Sequence, residues 1–223
     1  MKLNMEQNQY KGKLITFCGL DGCGKTTLID ELREYLLEKG KTVFLTKQPT
    51  DFVRNTVIFR NFMDEPDNSK YNYRSLSLLC ASDRVQHSSE VIAPKLEEGY
   101  VVISDRYFYS CLANLHARGY ENDKWIYEIS KYIVCPDIAF FLDVPVSTAV
   151  ARVRSRKAER ERFIDMDLQH KLKSLYKDIA VENGGIVIST NMTKQQSCLQ
   201  IKEKTDEMMM NSKLKARSRT LYD

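Results

Sequence analysis

Eight consecutive residues, Gly19-Leu20-Asp21-Gly22-Cys23-Gly24-Lys25-Thr26, fit the pattern G-x-x-x-x-G-K-[ST] without departure. The spelling has a physical reason. Glycines let the backbone curl so that successive N–H groups point into one concavity, which suits an anion. A helix starting near Lys25 adds the positive end of its dipole. Lys25 can reach the β- and γ-phosphates of a nucleotide, and the Thr26 hydroxyl can bind Mg²⁺. Gly19 through Thr27 is therefore the candidate nucleotide-binding stretch, with ATP and Mg²⁺ as the implied ligands.

Such a site needs a second group on the metal side. Two apolar runs end in an acid, Val101 to Asp105 and Ile138 to Asp143, and a strand-end acid is where that group sits. The following residue separates them. Asp105 precedes Arg106, a cation able to grip phosphate, whereas Asp143 precedes Val144-Pro145. We favour Asp105 and read Asp143 as a residue that starts the next helix.

The positive charge is concentrated at 152–162, which holds Arg152, Arg154, Arg156, Lys157, Arg160 and Arg162 against Glu159 and Glu161. Arginine outnumbers lysine there, which suits bidentate recognition of phosphate oxygens. The segment is read as a lid that neutralises transferred phosphoryl charge and excludes water. A solvated helix face and a nucleic-acid surface are the alternatives. The second lacks another basic patch or any reading motif.

These residues need elements to hold them. Leu14 to Cys18 is a short apolar, β-branched run that reads as a strand buried on both faces. Thr42–Thr46, Val101–Asp105, Ile138–Asp143 and Ile186–Ile188 read as further strands. Helical periodicity follows the glycine-rich turn (Leu28, Ile29, Leu32, Tyr35, Leu36) and recurs at 73–96, 107–117, 122–133, 146–157, 166–181 and 193–210. Residues 62–71 read as a loop. Strands alternating with helices imply an α/β domain with a five-stranded parallel sheet covered on both faces, a three-layer sandwich. Residues 1–12 read as a polar tail, 13–211 as the domain with its lid at about 152–163, and 212–223 as a charged C-terminal tail.

Composition excludes other classes. The 223 residues are 43% hydrophobic and 29% charged with a net charge of +4, an ordinary globular balance. No run approaches the roughly 20 apolar residues of a membrane span, and Met1 to Lys13 lacks the apolar core of a secretory signal. The six cysteines form no Cys-x-x-Cys pair and have no histidine at ligand spacing, so neither zinc nor a disulfide framework is expected. A reducing, cytoplasmic setting follows.

Five ordered blocks go further: FCGLDGCGKTT at 17–27, TKQPTD at 46–51, CASDRVQ at 80–86, ISDRY at 103–107 and LDVP at 142–145 leading into the arginine-rich segment. From about Lys13 to Met210 the sequence resembles the thymidylate kinase family of nucleoside monophosphate kinases. The resemblance implies a P-loop kinase fold with an arginine-rich lid, and transfer of the ATP γ-phosphoryl to a deoxynucleoside monophosphate, dTMP first. It also implies a homodimer through the helices near 75–96. By the resemblance, Lys47 stands where the family has an arginine for the acceptor's phosphate, keeping the charge but losing the fork. Arg84 matches the arginine on the pyrimidine base, and Arg106 the one bridging donor and acceptor phosphates. Asp21 matches the loop acid near the acceptor sugar or a lid arginine. The lid would provide a catalytic arginine, Arg156 or Arg160, with Lys25 and Arg106 completing the machinery.

There are four departures from the family pattern. Cys18 stands where the family tends to glutamate. Cys80 replaces an aromatic that stacks on the base, with Tyr73 or Phe108 as candidate substitutes and a plain core cysteine as the alternative. Asn114-Leu115-His116 replaces a glutamine-bearing stretch, and Ile164 an acid. The base is thus less fixed than the reaction. A kinase of another nucleotide or deoxynucleoside, or a non-catalytic nucleotide sensor, are the rival functions. Neither nucleic acid nor membrane is an expected partner.

Overall fold

The computed structural model describes residues 1–65, 70–161 and 163–219. Five strands form one parallel sheet: β1 (Lys13–Gly19), β2 (Val43–Lys47), β3 (Val101–Asp105), β4 (Ile138–Asp143) and β5 (Ile186–Ser189), in the order β2-β3-β1-β4-β5. All five expected strands are present, displaced by one residue at most at either end. β1, β3 and β4 are buried along almost their whole length, as strands covered on both faces should be. α1 (Lys25–Glu38) and α10 (Lys194–Arg219) pack on each other over one face, and α6 (Phe108–Ala117) and α9 (Met166–Glu182) over the other. The core is aromatic at the centre, where the Phe17 and Phe140 rings lie 5.2 Å apart across β1 and β4.

β1 lies between β3 and β4, so the chain runs to opposite sides of it. An open parallel sheet binds ligands outside the carboxyl ends of its strands at such a switch point. Register places Lys47, Asp105 and Phe17 at one level there, with Gly19 opposite Leu142.

The remaining helices are α2 (Asp51–Arg54), α3 (Val57–Asp64), α4 (Tyr73–His87), α5 (Ala93–Glu97), α7 (Trp125–Ser130) and α8 (Val146–Arg154). α3 reaches into the segment expected as a loop. Thr56 caps it by accepting from Phe59 N. Residues 66–69 of that expected loop lie outside the described residues. The helix expected over 73–96 is interrupted by a wide π-turn at Ser88–Ile92, just ahead of Pro94, whose ring cannot continue regular pairing.

The first twelve residues do not hang free as a tail. Leu3 and Met5 are buried, on one side of an extended segment. Glu6 forms a parallel bridge to Val134, donating to Ile133 O at 2.9 Å. At the other end α10 carries the backbone helix to Arg219, through most of the expected tail, and residues 220–223 lie outside the described ones. No helix among the described residues is long and apolar enough to cross a membrane.

Candidate active site

The glycine-rich turn joins β1 to α1. Gly24 sits at φ 96° just before α1, and the helix start has no side-chain cap. Its first N–H groups are thus left to an external acceptor. Gly22 is fixed by space: a Cβ there would lie 2.2 Å from Ala149 O. Lys25 is buried. Its ammonium donates to Leu20 O at 2.8 Å and Gly19 O at 3.2 Å, with Cys23 Sγ at 3.6 Å. Thr26 and Thr27 are exposed at the first turn and line the same cleft.

The two strand-end acids differ in their surroundings. Asp105 Oδ1 is buried with no hydrogen-bond partner among the described residues, and the residue lines the cleft with Thr26. A buried carboxylate oxygen without a hydrogen-bond partner, in a cleft also lined by a hydroxyl, suits a hard divalent cation. Asp143 is occupied instead by Lys173 and Lys177, each at 3.0 Å. It does not start the next helix as expected, because Pro145 holds that place.

Arg106 is the only non-glycine at positive φ among the described residues, at 67°. This left-handed conformation costs on the order of 1–2 kcal/mol. Two bonds hold it: Arg106 N donates to Phe17 O at 2.8 Å, and Ser104 Oγ donates to Arg106 O at 2.7 Å. The guanidinium then pairs with Asp21 and donates to Gly19 O at 3.1 Å and Tyr176 Oη at 3.3 Å. Tyr176 donates to Ser110 Oγ at 3.1 Å, which turns to Cys18 Sγ at 3.9 Å. Burial works against the charge on Arg106, but Asp21, Tyr176 and Asp105 outweigh it, and the pKa moves up. Cys18 is a buried thiol, pushed up to about 11 by burial.

Beyond Arg106 the cleft continues between α4 and α6. Its volume is about 1530 Å³, above the usual 300–1,000 Å³ of a single-ligand pocket. α4 contributes Tyr73, Cys80 and Arg84, and α6 with its cap contributes Cys111, Asn114 and Arg118. Arg84 is 3% exposed. It donates to Cys80 O at 2.8 Å, and its Nε has no partner among the described residues. The Cys80 thiol is pushed up to about 11 by burial, so it is a neutral wall and not a nucleophile. Of the two aromatics proposed to replace a residue at Cys80, Phe108 is fully buried and lies outside the cleft, whereas Tyr73 lines it. Arg118 sits over the Tyr73 ring at 4.0 Å, held by Asn114 Oδ1 at 2.9 Å.

Lys47 is exposed at the end of β2 and lines the cleft. Arg54 joins it, and sequence reasoning missed it. Its Nε donates to Pro49 O at 2.7 Å. Burial lowers its pKa, as do the nearby charges of Arg106 and Arg84, with Asp105 and Asp21 opposing. Tyr176 and Ser110 were also missed as supports of Arg106. The available signal was Tyr176 on the apolar face of α9, since a buried tyrosine hydroxyl needs a partner.

In the arginine-rich segment, Arg152 is not part of a lid. It braces Gly22 O at 3.5 Å and Thr190 O at 3.2 Å. Arg156 lines the cleft and pairs with Glu159 at 3.3 Å. Arg160 is exposed and outside the lining, and Arg162 lies outside the described residues. Ile164, in the place of an expected acid, lines the cleft, and the neighbouring Asp165 caps α9 by accepting from Leu168 N at 3.0 Å.

The profile of one protein family, thymidylate kinase, matches residues 17–201. A probable thymidylate kinase of Pyrococcus horikoshii is 40% identical over 172 residues, which is 76% of this chain and 83% of that protein. One from Thermococcus kodakarensis is 40% identical over 167 residues, 73% of this chain and 81% of the relative. A thymidylate kinase of Prochlorococcus marinus is 32% identical over 212 residues, 91% of this chain and 100% of the relative.

Proposed function

This chain belongs to the thymidylate kinase family, which makes it a kinase-type phosphotransferase, and on that premise we propose that it moves the γ-phosphoryl group of ATP to dTMP, giving ADP and dTDP. One observation carries the reading. Arg106 stands between a nucleotide-phosphate cradle and a second, arginine-floored pocket in one continuous cleft.

An oxygen of the acceptor phosphate bonds to the γ-phosphorus as the bond from phosphorus to the β–γ bridging oxygen breaks. A phosphate acceptor needs no general base. The protein therefore aligns and neutralises. Lys25, released from its loop carbonyls, meets the β- and γ-phosphates. Arg106 bridges both substrates, and Arg156 reaches the transferred group from the lid. Lys47 and Arg54 hold the acceptor phosphate. Thr26 and Asp105 would hold Mg²⁺, which when bound offsets charge on the β- and γ-oxygens.

Arg84 only donates hydrogen bonds, so the base edge facing it must accept. With position 4 of the base on that edge, thymine and uracil present a carbonyl and cytosine an amino donor, so dTMP and dUMP are taken and dCMP is poor. The exposed Leu78 on α4 agrees with a homodimer through this helix, and a cytoplasmic location fits the composition. The test is ADP release across the common nucleoside monophosphates. Turnover strongest on dTMP supports the assignment. Efficient turnover of dCMP or a purine monophosphate would move the base specificity elsewhere, and none on any monophosphate would overturn the kinase reading.

A further inference from the structure

β2 ends at Lys47, and the chain bends at Gln48 and Pro49 before α2. Lys47 and Pro49 line the cleft. Thr46, Gln48 and Thr50 turn the other way, onto α4. Two polar residues one helical turn apart receive them there. His87 places Nε2 2.8 Å from Thr46 Oγ1 and Nδ1 3.0 Å from Gln48 Nε2. Asp83 accepts from Thr50 N at 2.9 Å and from Thr50 Oγ1. All three of Gln48, Asp83 and His87 are buried. α4 is divided in the same manner: Cys80 and Arg84, also one turn apart, line the cleft.

β2 is an edge strand. Its own ladder stops at Lys47, and the backbone beyond is tied to the sheet by Gln48 N donating to Asp105 O at 2.9 Å. The α4 contacts are what fix the outer side. Without them nothing on that side, among the described residues, holds the bend at Gln48 and Pro49, which sets the direction of Lys47. Arg54 would move with it, since its guanidinium is tied to Pro49 O.

We propose that Asp83 and His87 are positioning residues, a two-point staple that sets the Lys47–Arg54 segment against Arg84 and so fixes where the acceptor's phosphate sits. The inference rests on the acceptor-site reading above. Burial pushes the His87 imidazole below its ordinary pKa, with Asp83 opposing and Arg84 reinforcing. A neutral ring fits the geometry, with Nε2–H donating to Thr46 and Nδ1 accepting from Gln48.

The test compares a monophosphate with its nucleoside. Wild-type turnover of dTMP is measured first and judges the functional reading by itself. If another monophosphate is preferred, that compound and its own nucleoside take the places of dTMP and thymidine in every titration. The variants are Asp83→Asn and His87→Ala on the helix, and Thr50→Val on the loop, which leaves α4 untouched. The staple predicts that dTMP affinity falls about tenfold in Asp83→Asn and Thr50→Val, the loss of one charge-assisted hydrogen bond, and by less in His87→Ala, which removes only neutral ones. Thymidine affinity and the KM for ATP should stay within about twofold. kcat should fall with dTMP affinity, because misplacement of the order of 1 Å is enough to cost rate. His87→Gln, whose amide both donates and accepts, should regain part of the loss. In a Lys47→Ala background, Asp83→Asn should add little, since the staple acts through that segment. Equal weakening of dTMP and thymidine, full additivity with Lys47→Ala, or lower melting temperature with unchanged dTMP affinity would each overturn it.

Discussion

On the proposed reading, the ligand-facing groups at the donor end of the cleft are largely backbone, presented by the turn from Gly19 to Thr26 and the uncapped start of α1. At the acceptor end they are side chains on α4 and α6: Arg84, Cys80, Tyr73, Asn114 and Arg118. Backbone amides recognise phosphate whatever side chains surround them, provided the glycines let the turn form. Side chains on two facing helices recognise one particular base and sugar, and change with them. Chemistry common to all nucleotides therefore sits where substitution is hardest, and selectivity sits where a single substitution can act. Arg106 lies at the boundary and is tied to both ends, through Gly19 and Asp21 on one side and Tyr176 and Ser110 on the other.

The sharpest way to break this contrast is Lys25→Ala. The donor end should lose about 10²–10³-fold in kcat, the value of one preorganised charge-stabilising group. Binding of dTMP should persist, because no acceptor-side residue depends on Lys25. Single-turnover rates and dTMP titrations measure the two. A kcat near wild type would remove Lys25 from the mechanism.

Next in size is the pair at the boundary. Arg106→Ala should lower kcat by about 10²-fold and also raise the KM for dTMP, since one guanidinium would serve both phosphates. Asp105→Asn should lower kcat by a similar amount while leaving the KM for dTMP alone and raising the Mg²⁺ concentration needed for half-maximal rate. A change in ATP affinity alone for Arg106→Ala would make it a donor-side residue and move the boundary.

The same contrast governs how much could be read from residues alone. The glycine-rich turn is local in sequence, so its place between β1 and α1 could be read from its eight positions, and strand runs such as Ile138–Asp143 ended where expected. Asp105 was separated from Asp143 by the residue that follows, and the structure sets the two acids apart by something no local pattern holds: Lys173 and Lys177 arrive from α9 on Asp143. The acceptor end is assembled from positions far apart in the chain. Arg54 follows Pro49 in a segment with weak periodicity, and it matters only because α2 brings it to Asp105 and Arg106. Tyr176 was legible as a core residue, but its hydroxyl partner lies 70 residues away. Arg152 carried the right chemistry for a lid and was claimed by Gly22 and Thr190.

A smaller effect is expected at the outer acceptor wall. Arg118→Ala removes a cation 4.0 Å from the Tyr73 ring. A half-buried contact of this kind is worth about 0.5–2 kcal/mol. Tyr73 would lose its backing, and thymidine and dTMP should weaken together, by roughly two- to thirtyfold. Calorimetry on both ligands measures this. A loss confined to dTMP would put Arg118 on the phosphate, contrary to its place at the far end from Arg106.

The smallest predicted change is a gain. Cys80 lies one turn before Arg84 on the cleft face of α4. It is neutral and small, so it fills less of the pocket than an aromatic would and offers no ring to a base. Cys80→Phe should tighten dTMP by about 0.5–1.5 kcal/mol, the value of aromatic stacking beyond its area. With Arg84 on the base edge as proposed, dUMP should gain with dTMP while dCMP stays poor. Thymidine should gain by the same factor as dTMP, because the ring meets the base and not the phosphate. ATP affinity and the Lys25-dependent rate should not move, which makes this the finest measure of how separate the two ends are. Titrations of dTMP, dUMP, dCMP and thymidine against wild type and variant decide it. A gain for dCMP equal to that for dTMP would mean that Arg84 does not read the base edge. Weaker binding of every ligand would mean that Tyr73 already occupies the stacking place and leaves no room for a second ring.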